Sequence, residues 1–335
     1  MKKVLMLVLA LAMVLSFVAC NKAGDDIAPT KAPTSVPEAT AVPTTPVDAK
    51  IIALKGPTGM GMAKLMEDGY EIELVGDPTL VAPEVIKGNV DIAAVPVNLA
   101  ATLYQKTKGE IKIAAINTLG TLHVVEKGNT INSISDLKGK TVYYTGKGST
   151  PEYALNYILT QNGIDPAKDI EIVYLSEHAE LSAQMISGDV TLGILPEPFV
   201  TQTIAKNAEV RDAIDLSDEW DKVAENNSKL TMGCIIVSKD FAENHKDDLD
   251  LFLKQYEASI NYVNGDVEKG SQLVAKHGII PAAPVAKKAI PGCNMTFMAG
   301  DEMKSAAGGF LKVMFDADPK SIGGTMPDEA FYYMG

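Results

Sequence analysis

From residue 50 onward, short apolar runs alternate with segments whose apolar residues recur at helical spacing. The runs 51–54, 71–75, 91–95, 111–116, 121–125, 141–144, 169–175, 190–195, 210–216 and 232–237 read as strands. DIAAV at 91–95 is apolar throughout, as a strand buried on both faces requires. Between them, 79–86, 98–106, 178–186, 198–206 and 217–226 read as helices, and 135–138 as a short turn. GPTGMG at 56–61 reads as a loop opening a helix that runs to about Glu67. Beyond 237 the pattern is helical, with Leu249, Phe252, Leu253, Tyr256, Ile260 and Val263 on one face, and no further strand is expected.

The stretch TVYYTGKGSTPEYALNYIL, 141–159, joins a β-branched and aromatic strand to a glycine-rich turn and then a helix. Ser149 or Thr150 can cap that helix, with Pro151 at its first position and Glu152 in its first turn. Free N–H groups and the positive dipole end then meet at one point, which suits an oxygen-rich or anionic ligand edge. GKGS is not a nucleotide-binding loop, because Thr141 stands where the upstream glycine belongs and Lys147 precedes a glycine.

Alternating strand and helix units predict an α/β fold of two mostly parallel sheets flanked by helices. One lobe would hold 50–118 plus 232–335 and the other 119–231, joined by a two-segment hinge near 117–121 and 228–232. Open α/β sheets bind ligands at the carboxyl ends of their strands, so two facing sheets make a cleft.

The amino terminus changes the picture. Lys2 and Lys3 precede an apolar core from Val4 to Leu15, which is short for a membrane span, and residues 1–19 read as a signal peptide. Phe17-Val18-Ala19-Cys20 resembles the lipobox of bacterial lipoproteins, which implies cleavage before Cys20 and lipidation of that residue. Residues 20–48 are rich in Pro, Thr and Ala and read as a disordered tether spanning roughly 30 Å as a coil. The remaining Cys234 and Cys293 read as buried small apolar groups, with a bridge between them as the alternative.

The net charge of −13 excludes nucleic acid as a partner, and it excludes a basic face for anionic lipid. Arg211 is the only arginine, and it falls on a strand at the far side of the second lobe. A carboxylate-clamping arginine at the cleft is therefore not expected, which disfavours a free amino acid as ligand. The histidine and cysteine spacings call for no metal, and no cofactor is expected.

Three motifs carry a family resemblance: VIKGNVDIAAVP (85–96), SDLKGKTVYYTGKGST (135–150) and ISGDVTLGILPEPF (186–199). Their order and spacing resemble substrate-binding lipoproteins of ABC importers with the type II periplasmic-binding-protein fold. The branch they resemble is the nitrate, sulfonate, taurine and thiamine-precursor one. The resemblance implies an extracytoplasmic, lipid-anchored monomer that captures a small solute, closes about its hinge and delivers it to a membrane permease. It implies binding without catalysis. Two alternatives stay open: an enzyme of menaquinone- or pyrimidine-precursor type on the same fold, with His178 or His123 catalytic, and a surface sensor.

Candidate ligand contacts sit where strands end. They are Gly56, Thr58, Gly59 and Met60 after the first strand, Val97 and Asn98 after the third, and Asn117 at the hinge. Across the cleft they are Gly148, Ser149 and Thr150, then His178, then Glu197 of the Glu-Pro-Phe segment. Glycines admit close backbone approach, hydroxyls and amides supply hydrogen bonds, and Tyr143, Tyr144, Tyr153 and Phe199 could stack on a ring. The solute expected is heterocyclic or aromatic, or bears an oxyanion.

Overall fold

The computed structural model describes residues 42–225 and 227–335. Cys20, the signal peptide and most of the expected tether lie outside the described residues.

Among the described residues, eleven strands form two sheets. In chain order they are β1 (Ile51–Leu54), β2 (Ile72–Val75), β3 (Ile92–Pro96), β4 (Ile111–Leu119), β5 (Leu122–Lys127), β6 (Thr141–Thr145), β7 (Glu171–Leu175), β8 (Leu192–Pro196), β9 (Val210–Asp215), β10 (Thr231–Ser238) and β11 (Met295–Met298). The first sheet runs β11-β4-β10-β3-β1-β2 and the second β7-β6-β8-β5-β9. Both carry helices on their faces, as the alternating pattern predicts. Among these strands, parallel pairing is confined to β2-β1-β3 and β7-β6-β8. Strands β4, β10, β5 and β9 pair antiparallel, because the chain that leaves one sheet at its carboxyl edge enters the other there and runs back.

β11 corrects the expectation that no strand follows 237. Met295–Met298 is a four-residue edge strand joined irregularly to β4, with a register shift between Met295 and Met298. Such a short run carries too little alternation to stand out from its helical surroundings. The GPTGMG loop is also more ordered than expected. Gly56 takes φ +89°, and Pro57–Met60 then form a helical turn with Pro57 at its start.

The carboxyl ends of β1, β3 and β4 share one edge of the first sheet with the start of β10. Those of β6, β8 and β9 share one edge of the second with the start of β5. Only Gly120 and Thr121 separate β4 from β5, so these two edges are brought together. Gly120 has no room for a side chain, since a Cβ there would lie 2.2 Å from Ser217 Oγ and 2.7 Å from Leu230 Cδ2.

One buried core runs through helices of both sheets. The helix Gly300–Ala317 carries it across: Phe310 lies 5.5 Å from Trp220 between ring centres, and Trp220 lies 4.8 Å from Tyr157. A second core, with Met60, Met62, Phe252 and Tyr256, fills the other face of the first sheet. Cys234 and Cys293 are free and buried, in accord with their reading as small apolar groups.

The end of the expected tether is docked rather than free. Gln255 Nε2 donates to Pro43 O at 2.6 Å and Thr45 O at 3.0 Å, Val47 N–H donates to Tyr70 Oη at 3.2 Å, and Val47 is buried. Tyr70 and Gln255 are buried polar groups that bond each other; the docked segment adds the Val47 N–H to Tyr70 and two carbonyls to Gln255.

Candidate functional site

On the first sheet's carboxyl edge, Asn117 is buried and ties three elements together. Its Nδ2 donates to Tyr256 Oη at 2.9 Å and to Thr58 O at 3.3 Å, and its Oδ1 accepts from Thr118 Oγ1 at 3.1 Å. Gly233 on β10 lies beneath them: a Cβ there would meet Asn117 Oδ1 at 2.5 Å and the Thr58 and Thr118 hydroxyls at 3.0 Å each. Thr58 and Asn117, chosen from the sequence, are therefore together, and Thr118, Tyr256 and Gly233 join them. Sequence reasoning missed these three; β10 and Tyr256 lie more than a hundred residues away along the chain.

Other candidates on this edge are packed. Met60 is fully buried in the second core and Val97 in the first, so both are core side chains. Gly59 is close-packed, since a Cβ there would meet Leu54 O at 2.2 Å. Gly56 keeps open space around its α-carbon. Asn98 is the second residue of the helix Val97–Lys106, and its carbonyl accepts from Thr102 Oγ1 at 3.0 Å.

On the second sheet's edge the glycine-rich turn satisfies itself. The Gly148 N–H donates to Glu152, whose other oxygen accepts from Tyr174 Oη at 2.7 Å. Ser149 is the N-cap of the helix Thr150–Gln161, but its hydroxyl donates to Gly146 O. Thr150 is buried, with its hydroxyl 4.0 Å from Met314 Sδ. The groups expected to receive an anion thus have partners within the chain: Glu152 supplies the negative charge that the helix start attracts.

His178 opens the helix His178–Ser187 at the end of β7 and is half-buried. Its Nδ1 bonds Thr145 Oγ1, at the end of β6, and its ring lies 5.5 Å from that of Phe199, after β8. Burial holds His178 below its ordinary value, against a smaller upward pull from Glu177.

Glu197 is buried where the two edges meet. Its carboxylate accepts from Thr201 N–H at 3.2 Å and Thr201 Oγ1 at 2.9 Å, so it caps the following helix turn. It also packs on Gly292 of the first sheet's side, where a Cβ would meet Glu197 Oε1 at 3.0 Å. Burial raises its affinity for a proton, partly offset by the Thr201 hydrogen bonds and by His123. His123 on β5 is also buried, with Nδ1 2.9 Å from Asp212 Oδ2. Burial pushes His123 down, but Asp212, Asp215 and Glu197 together outweigh it and leave His123 raised. The residues of this polar cluster lie far apart in sequence.

Arg211 is committed at the opposite edge of the second sheet. Its Nη2 meets the buried Glu126 at 2.7 Å and also donates to Ile131 O, and its Nε donates to Gly128 O at 3.1 Å. A cavity of about 440 Å³ that includes Lys87, Lys108 and Asp240 lies at the amino edge of the first sheet, away from this meeting point. Among the described residues, no group of three or more His, Cys, Asp or Glu is placed to hold a metal ion. No helix among them is long and apolar enough to cross a membrane.

The family model described as ABC transporter, phosphonate, periplasmic substrate-binding protein matches residues 66–289. The chain belongs to this family. As a member of the family, it is the substrate-binding component of an ABC transporter. Its fold is shared by an ABC transporter protein of Parabacteroides distasonis, at 24% identity and a TM-score of 0.72, over 85% of this chain and 98% of that one. It is shared also by the periplasmic aliphatic sulphonate-binding protein SsuA of Escherichia coli, at 18% identity and 0.66, over 85% and 91%. The nitrate-binding protein NrtA of Synechocystis matches at 14% identity and 0.51, over 73% and 69%. No curated protein matches the sequence. The family assignment bears out the ABC substrate-binding resemblance carried by the three motifs.

Proposed function

We propose that this substrate-binding protein is a lipoprotein, anchored through Cys20, that captures a small organic solute between the two carboxyl edges. The solute bears an oxyanion or is a heterocyclic or aromatic ring. The lobes 50–118 plus 232–335 and 119–231 close about the segments near 117–121 and 228–232 and present the closed form to the permease. The protein acts as a monomer and catalyses nothing.

One observation carries this reading. Glu197 of the second sheet's edge packs on Gly292 of the first sheet's side, and Thr58, Asn117 and Thr118 form a polar set at the first sheet's carboxyl edge. Hydroxyls and an amide on the first edge and His178 on the second, with the chain's only arginine bound elsewhere, suit a solute held without a guanidinium clamp. His178 and Phe199 favour a ring or an acceptor oxygen on the second side. The phosphonate family description and the sulphonate and nitrate names of the structural relatives support an oxyanion.

Titration calorimetry of the purified protein with methylphosphonate, taurine, nitrate and a pyrimidine tests the solute class. Binding of at least one is expected. Binding of glutamate or arginine, with none of these, would overturn the class. Retention of lipid by the native chain and its loss in Cys20→Ala tests the anchor.

A further inference from the structure

The geometry points to Thr145 as a positioning residue that makes His178 a fixed hydrogen-bond donor toward the cleft, matched to an acceptor oxygen or ring nitrogen on the solute. The inference rests on the proposed solute-binding role and adds to it the polarity of one contact.

Thr145 ends β6, and its side chain is 1% exposed. A buried hydroxyl proton needs an acceptor. The partner present is His178 Nδ1. Thr145 therefore donates and Nδ1 accepts, because the reverse assignment would leave the Thr145 proton orphaned in the core. A ring that accepts at Nδ1 and stays neutral carries its proton on Nε2. Neutrality has two causes: the half-buried ring is costly to charge, and the ring stands at the positive end of the helix His178–Ser187. Phe199, 5.5 Å away and inclined at 45°, limits the ring's swing. The end of β6, the helix start after β7 and the residues after β8 all lie on the edge that faces the first sheet. With Nδ1 taken by Thr145, Nε2 is the ring nitrogen left for a solute at that edge. A donor that cannot become an acceptor selects against solutes that present only N–H or ammonium groups at this point.

The test uses nitrogen-15 NMR of the whole protein labelled at its four histidines, with His178 assigned by loss of its signals in His178→Gln. Nδ1 unprotonated and Nε2 protonated across neutral pH is expected. Thr145→Val should scramble the tautomers, and Thr145→Ser should restore them. With the best binder among methylphosphonate, taurine, nitrate and a pyrimidine, the Nε2 signal should move. Thr145→Val should weaken that binder about five- to tenfold, about the value of one hydrogen bond, while Thr145→Ser stays near the wild type. A protonated Nδ1 in the free protein would overturn the inference. So would a binder that leaves Nε2 unmoved and binds Thr145→Val as well as the wild type. If none of the four binds while Nε2 is protonated, the solute reading fails and takes the donor role with it. The Thr145–His178 bond would then remain as a structural feature alone.

Discussion

Asn117→Ala tests how the first sheet's edge is held. Asn117 is 1% exposed and bonds Tyr256 Oη, Thr58 O and Thr118 Oγ1, of which Tyr256 and Thr118 are also buried. Truncation leaves the Tyr256 and Thr118 hydroxyls without those bonds, at about 1–3 kcal/mol for each orphaned buried group. Partial relaxation around the small cavity brings the expected loss to roughly 3 kcal/mol, or about 6 °C in Tm for a chain of this size. Tyr256→Phe removes one of the two orphaned hydroxyls. The double variant Asn117→Ala/Tyr256→Phe should therefore be more stable than the sum of the single losses, by about 1–2 kcal/mol. Urea unfolding of the four proteins without solute measures both numbers. Asn117→Ala within about 0.5 kcal/mol of the wild type, or a coupling of zero, would refute the reasoning. The same variants bear on function, because Asn117 is what joins the turn after β1 to β4.

Other expectations follow from the same contacts. Arg211→Ala should cost about 2–4 kcal/mol by stripping a buried Glu126 of its ion pair. It should leave solute affinity unchanged, and lost affinity with an intact fold would place the arginine in the site. Burial raises the Glu126 carboxyl, but the Thr130 and Ile131 hydrogen bonds and Arg211 outweigh it and leave it lowered. Its stabilisation is present above the ordinary glutamate value and is lost as pH falls through the lowered one. Acid unfolding of Arg211→Ala should therefore begin at higher pH. His123 is raised, so its stabilisation is full below its ordinary value of 6.5 and fades as pH rises through the raised value. The stability gap between wild type and Asp212→Asn should be wider at pH 6 than at pH 9; equal gaps in urea melts would contradict the pairing. Gly292→Leu should hold Glu197 off the first sheet's edge and raise the radius of gyration in small-angle scattering without a large change in Tm. An unchanged scattering profile would show that this contact does not limit closure.

What could be read from the sequence was local. Apolar runs such as DIAAV, the helical spacing from Leu249 to Val263 and the glycine-rich turns are short-range patterns, and they placed ten of the eleven strands in the correct order. Residues at strand ends were also visible, because a strand end is a feature of the chain itself. Thr58, Asn117, His178 and Glu197 were chosen as candidates that way. What the side chains at those ends are bonded to depended on partners remote in sequence. Met314, remote in sequence, faces Thr150, while the Gly148 amide and the Ser149 hydroxyl are taken up locally by Glu152 and Gly146. Met60 and Val97 turn into the cores. His123, Glu197 and Asp212 become neighbours only when β5, β8 and β9 pair. Local propensity sets where a strand or helix stands, but a hydrogen bond or ion pair needs two groups within about 3 Å, and that distance is decided by long-range packing.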